Sequence, residues 1–525
     1  MLPSPSHALL NQDVAYVIFQ HLAVPDASWY DYDTATCSTR SVDDTTERRG
    51  TLARCARVCR ALLFPAVSVL WRNLDSLETL GVLAQSSTPQ KAEVAVSVGL
   101  SWLPTYAQYS HWVRGVHNPS TSLVQSFHLR SPLNDGPYLP TLPRLTRLRW
   151  VQEVPGTTDL LPLLSPALRS LHILFRSSRN TRRYEHQTFV GALFLQTAER
   201  VPNLRYLRIT RASGIPEAWL LHVDQFARVE VLDISEPTYD EVTTHDLLPR
   251  LAAMGSLRSL RLRLSAITYS ASDPAARSFS ALRDLYLDCK HASLNDGIVL
   301  LRAVSSHYLE SVRIEHCECT TNILSASLLE LCTILHAGFA STLHAVSLSV
   351  TPIGAPNVFE HPLVKYLEPL LRIRELAEFR FCISRTSNNI SMPVPESNLA
   401  ASAESWPRLT RLDLNYVPVE GPPALRTLLF FARQCPSLTS LNLPCIDARN
   451  IELLSSGPPH LSLTSCSVSD CGWDSLIPDP EGLAQFLKAL FPNLTLFRPR
   501  LRIVSEPWVQ TVESLDGLQL HVDHF

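Results

Sequence analysis

A six-residue pattern, apolar at its first, fourth and sixth positions and usually leucine there, returns eleven times between Leu145 and Leu443. It reads LTRLRW at Leu145, LRSLHI at Leu168, LRYLRI at Leu204, VEVLDI at Val229, LRSLRL at Leu257 and LRDLYL at Leu282. LESVRI at Leu309, LHAVSL at Leu343, LAEFRF at Leu376, LTRLDL at Leu409 and LTSLNL at Leu438 continue it, often just after a proline. Looser copies are VQSFHL at Val124, HLSL near Leu461 and LTLF at Leu494. From Val124 to Leu494 the thirteen intervals average about 28 residues, with single intervals of about 22 to 36. Such a period is the signature of a repeat architecture.

The pattern dictates its own geometry. Alternating leucines point inward from a short strand, and the residues between them point outward. Segments with helical apolar spacing fill the intervals: FVGALFLQTAERV, DGIVLLRAVSSHYL, SLLELCTILHAGF, ALRTLLFFARQC and EGLAQFLKALF. One strand and one helix cannot close a core, but stacked copies bury a continuous one. The expected fold is α/β, a leucine-rich-repeat solenoid of about fourteen irregular repeats over residues 121–525, with an arc-like outline and uneven loops, 383–397 among them. A doubly wound sheet also alternates strand and helix. It is disfavoured by the likeness of the strands and by the lack of any glycine-rich phosphate loop in a chain with only 17 Gly.

Ahead of the array, residues 1–74 read as a small all-helical module with a polar insert at 23–50, and 75–120 as a helical connector. In the connector, WLPTYAQYSHWVRGV carries apolar and aromatic residues suited to seating a helix on the next domain. At 100° per residue the apolar side of LLNQDVAYVIFQHL (9–22) sweeps about 200°, wider than the roughly 100° stripe that one core requires. Either this helix is buried from two sides within the chain, or part of that arc is meant for another protein. LARCARVCRALL (52–63) reads as one amphipathic helix, with Arg54, Arg57 and Arg60 on its solvent side and Cys55 and Cys59 as core thiols. The insert is read as a surface loop, with a phosphorylatable regulatory segment as the functional alternative.

These N-terminal residues resemble an F-box. Leu10, Asp13, Val14, Ile18, Phe19 and Leu22 fall in register with the first half of that motif. Val58-Cys59-Arg60 and Leu70-Trp71-Arg72-Asn73-Leu74 fall in register with the second half. Asn11 replaces the usual proline and is itself a good helix N-cap. The aromatic usual after the Val-Cys-Arg step is replaced by Ala61-Leu62-Leu63-Phe64. With the repeats behind it, the chain resembles a fungal F-box/leucine-rich-repeat protein. The resemblance implies a non-catalytic substrate receptor of an SCF-type cullin–RING ubiquitin ligase. It assigns adaptor binding to Leu10, Asn11, Val14, Ile18, Phe19, Leu22, Val58 and Trp71, docking on a Skp-type adaptor, and assigns an unknown substrate protein to the repeats. The competing reading is a repeat scaffold or sensor that no longer engages the ligase.

Between the leucines, Arg147, Arg149, Tyr206, Arg208, Arg261, Arg263 and Arg313 are expected on the strand face. Asp233, Asp284 and Asp288 are interspersed among them. An arginine-biased face suits an acidic or phosphorylated segment, because guanidinium forks match carboxylate and phosphate. The same pattern is also an ordinary solvated surface in a chain where 42 of 46 basic residues are Arg. A net charge of −3 gives no global reason to expect nucleic acid or a membrane surface. The twelve Cys form no paired CxxC set, so neither zinc nor another cofactor is expected, and they read as reduced thiols of a cytoplasmic or nuclear protein. The opening MLPSPSHALL lacks the basic and apolar regions of a signal peptide. No protease, hydrolase, P-loop or kinase motif is present, and IEHCEC (314–319) is expected at a strand edge or in a loop.

Overall fold

The computed structural model describes residues 11–23, 40–78, 80, 106–117, 142–152, 158–175, 187–210, 222–235, 244–265, 279–353, 359, 361–383, 391–419, 421–444, 446–451, 458–469, 478–500 and 510–511. The chain divides into two units, Met1–Val229 with Ser235–Thr238, and Glu230–Ile234 with Tyr239–Phe525.

The first unit opens with three helices, α1 (Gln12–Gln20), α2 (Arg40–Ala56) and α3 (Arg60–Leu70). There follow β1 (Asn73–Leu74), α4 (Tyr106–Trp112), β2 (Gly115–His117), β3 (Arg147–Gln152), β4 (Ser170–Phe175), α5 (Gln187–Arg200) and β5 (Tyr206–Thr210). The strands pair in parallel and in chain order. Leu74, Val116, Leu148, Leu171 and Leu207 lie side by side in this register, and all are buried. This is the fourth position of the repeat pattern, one apolar residue per strand stacked along one row.

The second unit contains β6 (Val231–Ser235), α6 (Thr244–Ala253), β7 (Ser259–Ser265), β8 (Asp284–His291), α7 (Leu294–Ala303), β9 (Ser311–Thr320), α8 (Thr321–Phe339) and β10 (Ala345–Ile353). It continues through α9 (Leu363–Leu371), β11 (Glu378–Ile383), β12 (Ser391–Met392), α10 (Glu396–Ser405), β13 (Arg411–Asn415) and β14 (Val417–Pro418). Last come α11 (Thr427–Gln434), β15 (Ser440–Leu443), β16 (Ser465–Ser469), α12 (Pro480–Leu490) and β17 (Leu496–Arg500). Its main sheet is again parallel and sequential, with β12 and β14 forming a separate two-stranded pair. Its own fourth-position row runs Leu232, Leu260, Leu285, Val312, Val346, Phe379, Leu412, Leu441, Cys466, all buried. Sequential parallel pairing is what a solenoid-like α/β stack requires; a doubly wound sheet reverses its strand order partway.

The prolines that precede many repeats have a common place. In Leu142-Pro143-Arg144-Leu145 the Leu145 N–H donates to the Leu142 carbonyl, closing a tight turn with proline second. Ser165-Pro166, Val201-Pro202, Trp406-Pro407, Cys435-Pro436 and Phe491-Pro492 repeat this arrangement ahead of Leu168, Leu204, Leu409, Leu438 and Leu494. Proline's fixed φ suits that position, and the following leucine enters the strand at a set height.

Several expectations need correction. The segment 52–63 is not one helix: α2 ends at Ala56 and α3 starts at Arg60, with Cys59 extended at φ −159° as its N-cap. The insert is helical from residue 40, and 24–39 lie outside the described residues. Within the expected connector, Gly115–His117 is a strand between β1 and β3, so the ladder starts at Asn73, inside the stretch assigned to the helical module. The Leu461 copy is framed two residues too early. Ser465 pairs with Ser440, which makes Leu463 the equivalent of Leu438; Leu463 is buried while Leu461 is 63% exposed. Cys466 stands where a leucine was sought. The supposed loop 383–397 holds β12 and the start of α10. VQSFHL at Val124 lies outside the described residues.

Candidate partner-binding surfaces

Helices α1, α2 and α3 share a small core of Ala15, Phe19, Leu52, Ala66 and Val69, with Leu22, Cys55, Ala56, Leu62 and Leu70 packed around it. Asn11 starts α1 with an extended backbone, and its Oδ1 accepts the Asp13 N–H at 3.0 Å. That bond satisfies one of the helix's orphan donors, and the Asp13 carboxylate complements the positive end of the helix. With 3.6 residues per turn, Ala15 and Phe19 share the inward side. Val17, Val14 and Ile18 occupy an adjacent arc of roughly 100°, and they are 56%, 40% and 44% exposed. The wide apolar side thus splits into a half that makes the core and a half that faces solvent.

This split sorts the expected adaptor residues. Val14 and Ile18 are on the exposed stripe, and Val58, between α2 and α3, is 71% exposed. Phe19 is buried and Leu22 half-buried, so both serve the module's own core. Asn11 is committed to the cap. Trp71 is half-buried with its ring 4.4 Å from that of Tyr109, and Tyr109 and Trp112 meet edge to face. Phe64 also meets Trp112 edge to face, so α4 seats α3 on the first strands. Leu10 lies outside the described residues. Val17 was missed: it matches no conserved-looking letter of the motif, and only its place on the wheel beside Val14 signals it.

On the strand face of the first unit, His117, Arg149, His172 and Arg208 form one row across β2–β5, and Arg147 and Tyr206 stand in the row before it. Arg147 and Arg208 are buried, with Arg147 Nη2 donating to Asn73 Oδ1 at 3.0 Å. The face is therefore less open than its sequence suggests. Burial, with Arg208, Arg149 and His117 adding like charge, lowers the His172 pKa to about 3. Burial lowers His117 to about 4; Arg149, Arg147 and Arg49 act in the same direction, against the pull of Asp75. Both imidazoles are neutral near pH 7, and His172 Nε2 lies 3.0 Å from Thr210 Oγ1.

In the second unit the corresponding row runs Asp233, Arg261, Tyr286, Arg313, Ser347, Arg380, Asp413, Asn442 and Ser467. Here arginines alternate with their own neutralising groups. The Arg261 guanidinium sits 4.3 Å from the Tyr286 ring centroid, and Tyr286 donates to Glu315 Oε2 at 2.9 Å. Arg263 Nε is 2.7 Å from Asp288 Oδ2, and His316 Nδ1 is 3.1 Å from Asp288 Oδ1. Burial works to raise the Asp288 pKa, but Arg263 and His316 outweigh it and hold the carboxyl below its ordinary value. Arg380 reaches Asp413 Oδ2 at 3.4 Å and Glu315 Oε1 at 4.0 Å. Arg313 is exposed, and Asp284 is raised by burial and by Glu310. A face this self-compensated gives little net attraction to an acidic ligand.

The IEHCEC stretch belongs to β9, not to a loop. Cys317 and Cys319 are buried, and His316 takes a left-handed φ of 59° where the β9–β10 register shifts. Burial holds the Cys319 thiol up at about 11. Among the described residues no group of three His, Cys, Asp or Glu side chains could hold a metal, and no helix is long and apolar enough to cross a membrane.

No family model and no curated protein matches the chain. Among solved structures it is similar to a chain of the "Crystal structure of Rad7 and Elc1 complex in yeast", at 15% identity and a TM-score of 0.37, over 92% of this chain and 97% of that one.

Proposed function

We propose that the chain is a non-catalytic substrate receptor of an SCF-type cullin–RING ubiquitin ligase, acting in the cytoplasm or nucleus. In this reading α1–α3 are an F-box, the stripe of Val14, Val17 and Ile18 docks on a Skp-type adaptor, and the repeats hold the substrate protein. The observation that carries it is that stripe. Three β-branched residues stay in water on a helix whose other side already fills a core, and apolar surface left out in this way marks an interaction site when contiguous. Tagged full-length protein should retain the adaptor on co-purification, and Val14→Ser/Val17→Ser/Ile18→Ser should release it while the fold persists. Recovery of the adaptor by both proteins alike counts against the reading.

A second reading, a repeat scaffold that no longer engages the ligase, draws on α1 itself. Phe19 and Leu22 serve the core, Asn11 the cap and Trp71 the contact with Tyr109, so four of the eight residues assigned to the adaptor have structural employment already. Wild-type protein that brings down other partners but no adaptor favours it.

A further inference from the structure

On the strand face of the second unit, Arg313, Ser347 and Arg380 stand side by side on β9, β10 and β11. All three can donate hydrogen bonds, and none of their side chains has an acceptor at hydrogen-bond geometry. Arg313 is exposed and makes no hydrogen bond or ion pair among the described residues. Ser347 is 8% exposed, and its Oγ is buried without a partner. Arg380 Nε is buried and makes no hydrogen bond; Asp413 Oδ2 lies 3.4 Å from it, and Glu315 Oε1 lies 4.0 Å from Nη1. Elsewhere in the row the polar groups serve their neighbours: Tyr286 donates to Glu315, and Asn442 donates to Asp413. Asp284 feels the Arg313 charge, but burial and Glu310 outweigh it and keep that carboxyl raised, so the two form no pair.

Ser347 lies between Val346 and Leu348, which are buried on the core side, so its side chain faces outward with those of the two arginines. Adjacent strands are about 4.8 Å apart, so a short side chain between two long ones is the floor of a notch. Ser349, the next outward residue of β10, is engaged by a hydrogen bond with the Cys382 thiol. Ser347 has no such bond, and a buried hydroxyl left unpaired costs stability. Donors without an acceptor call for a group that only accepts. An ionised carboxylate offers about four lone-pair sites and no proton, whereas an amide brings donors of its own. It is also the planar partner that a guanidinium fork matches. Glu315 and Asp413 flank the notch, and Glu378, exposed in the row before, stands opposite Arg411. A doubly charged phosphate meets more repulsion from these groups than a carboxylate does. Because the face as a whole is compensated, selection comes from contact geometry and not from long-range attraction.

We propose that this notch holds one carboxylate of a partner polypeptide, an Asp or Glu side chain or a C-terminus, hydrogen-bonded by Arg313, Ser347 and Arg380. The arginine side chains swing aside as the carboxylate reaches Ser347 Oγ, and neither of them holds a hydrogen bond that would oppose the movement. Such a site rests on the reading of the repeats as the part that holds a partner protein, and it stands whether or not α1 engages an adaptor.

The test is ligand-observed NMR titration of the full-length protein, in chloride buffer at fixed ionic strength. The probes are acetyl-Gly-Asp-Gly-amide, its Asn twin, its phosphoserine counterpart, and acetyl-Gly-Gly-Gly with a free C-terminus. The Asp and free-C-terminus probes should compete for one site per chain, and the tighter of the two names the source of the carboxylate. The Asn twin should bind more weakly by about tenfold or more, the scale of a charge-assisted hydrogen bond. R313Q/R380Q should weaken the Asp probe by a similar factor. S347A should weaken it by about threefold, the scale of a neutral hydrogen bond. It should also leave the thermal midpoint unchanged or higher, because it deletes an unpaired buried hydroxyl. R302Q/R408Q, which removes surface arginines paired elsewhere with Glu330 and Glu375, should leave affinity within about twofold. Absence of binding by both carboxylate probes overturns the proposal, as does affinity unchanged in R313Q/R380Q. So does equal binding of the Asn twin, tighter binding of the phosphoserine probe, or a lowered midpoint in S347A, which would make Ser347 structural. Co-purification of the adaptor is read separately, so failure at this notch and failure of the ligase reading are told apart.

Discussion

Phe19 and Ile18 are neighbours in sequence and opposites in environment, and their substitution separates the module's core from its free face. Phe19 is 6% exposed within a core of few residues, whereas Ile18 is 44% exposed. Phe19→Ala removes a buried ring and leaves a cavity, a change that costs about 3–5 kcal/mol in protein cores. The lower figure fits here, because a cluster this small can close around the gap. At about 1.4 kcal/mol per tenfold, 3 kcal/mol corresponds to amide exchange in α1 and α3 faster by about a hundredfold, provided these helices open locally. Ile18→Ser removes little buried area and should change the same rates by no more than a few-fold, the scale of a surface substitution. Hydrogen exchange read by mass spectrometry on peptides covering 11–23 and 60–70 measures both in the intact chain. The reasoning fails if Ile18→Ser loosens these helices as much as Phe19→Ala, because Ile18 then belongs to a packed interior and the exposed stripe does not exist.

The strand face of the first unit should respond to acid. His117 and His172 titrate at about 4 and 3 when folded, against about 6.5 unfolded. Between these limits the unfolded chain binds more protons, so stability is full above about pH 6.5 and falls as pH drops. By pH 5 each histidine accounts for a loss of about 2 kcal/mol, and His172→Gln should flatten the slope in denaturant midpoints of the first unit; an unchanged slope contradicts the assignment. The reframed repeat gives a sharper contrast: Leu463→Asp puts a charge in the core and should abolish soluble expression or strongly lower the melting temperature, while Leu461→Asp should be tolerated. Equal effects would restore the frame that starts at Leu461. Loss of the Arg263 side chain in Arg263→Ala leaves Asp288, whose side chain is 13% exposed, with the His316 ring as its remaining partner among these two. A destabilisation of about 1–3 kcal/mol is expected by chemical denaturation, and none at all would show that the pair is idle.

The repeat was legible in the sequence because its period is enforced by burial. Each strand places apolar residues at fixed spacing, so Leu260, Leu285 and Leu412 announce themselves wherever a leucine is kept. It failed where another residue took the role. Cys466 fills a leucine slot, and Gly115-Val116-His117 is too short to show alternation, so β2 was lost in the connector. The break at Arg57–Cys59 was hidden because the apolar spacing of 52–63 continues across it, and periodicity carries no record of where the hydrogen bonds stop. On α1 the width of the apolar arc was plain, but which half would be buried depended on α2 and α3, and motif matching assigned Phe19 to a partner and omitted Val17. Arg147, Arg149, Arg208, Arg261, Arg263 and Arg313 were foreseen on the strand face by position, and Arg380 was not. Their compensation by Glu315, Asp288 and Asp413 was not, because it runs between strands 25 or more residues apart in sequence.

The central claim is that the exposed stripe of α1 exists to hold an adaptor. The direct measurement is co-purification of tagged full-length protein, with quantitative mass spectrometry of the Skp-type adaptor, for wild type and Val14→Ser/Val17→Ser/Ile18→Ser. The account predicts near-stoichiometric adaptor with the wild type and its loss from the variant, with both proteins equally folded by hydrogen exchange. Wild-type protein that recovers its other partners without the adaptor, or a variant that keeps the adaptor in full, contradicts it.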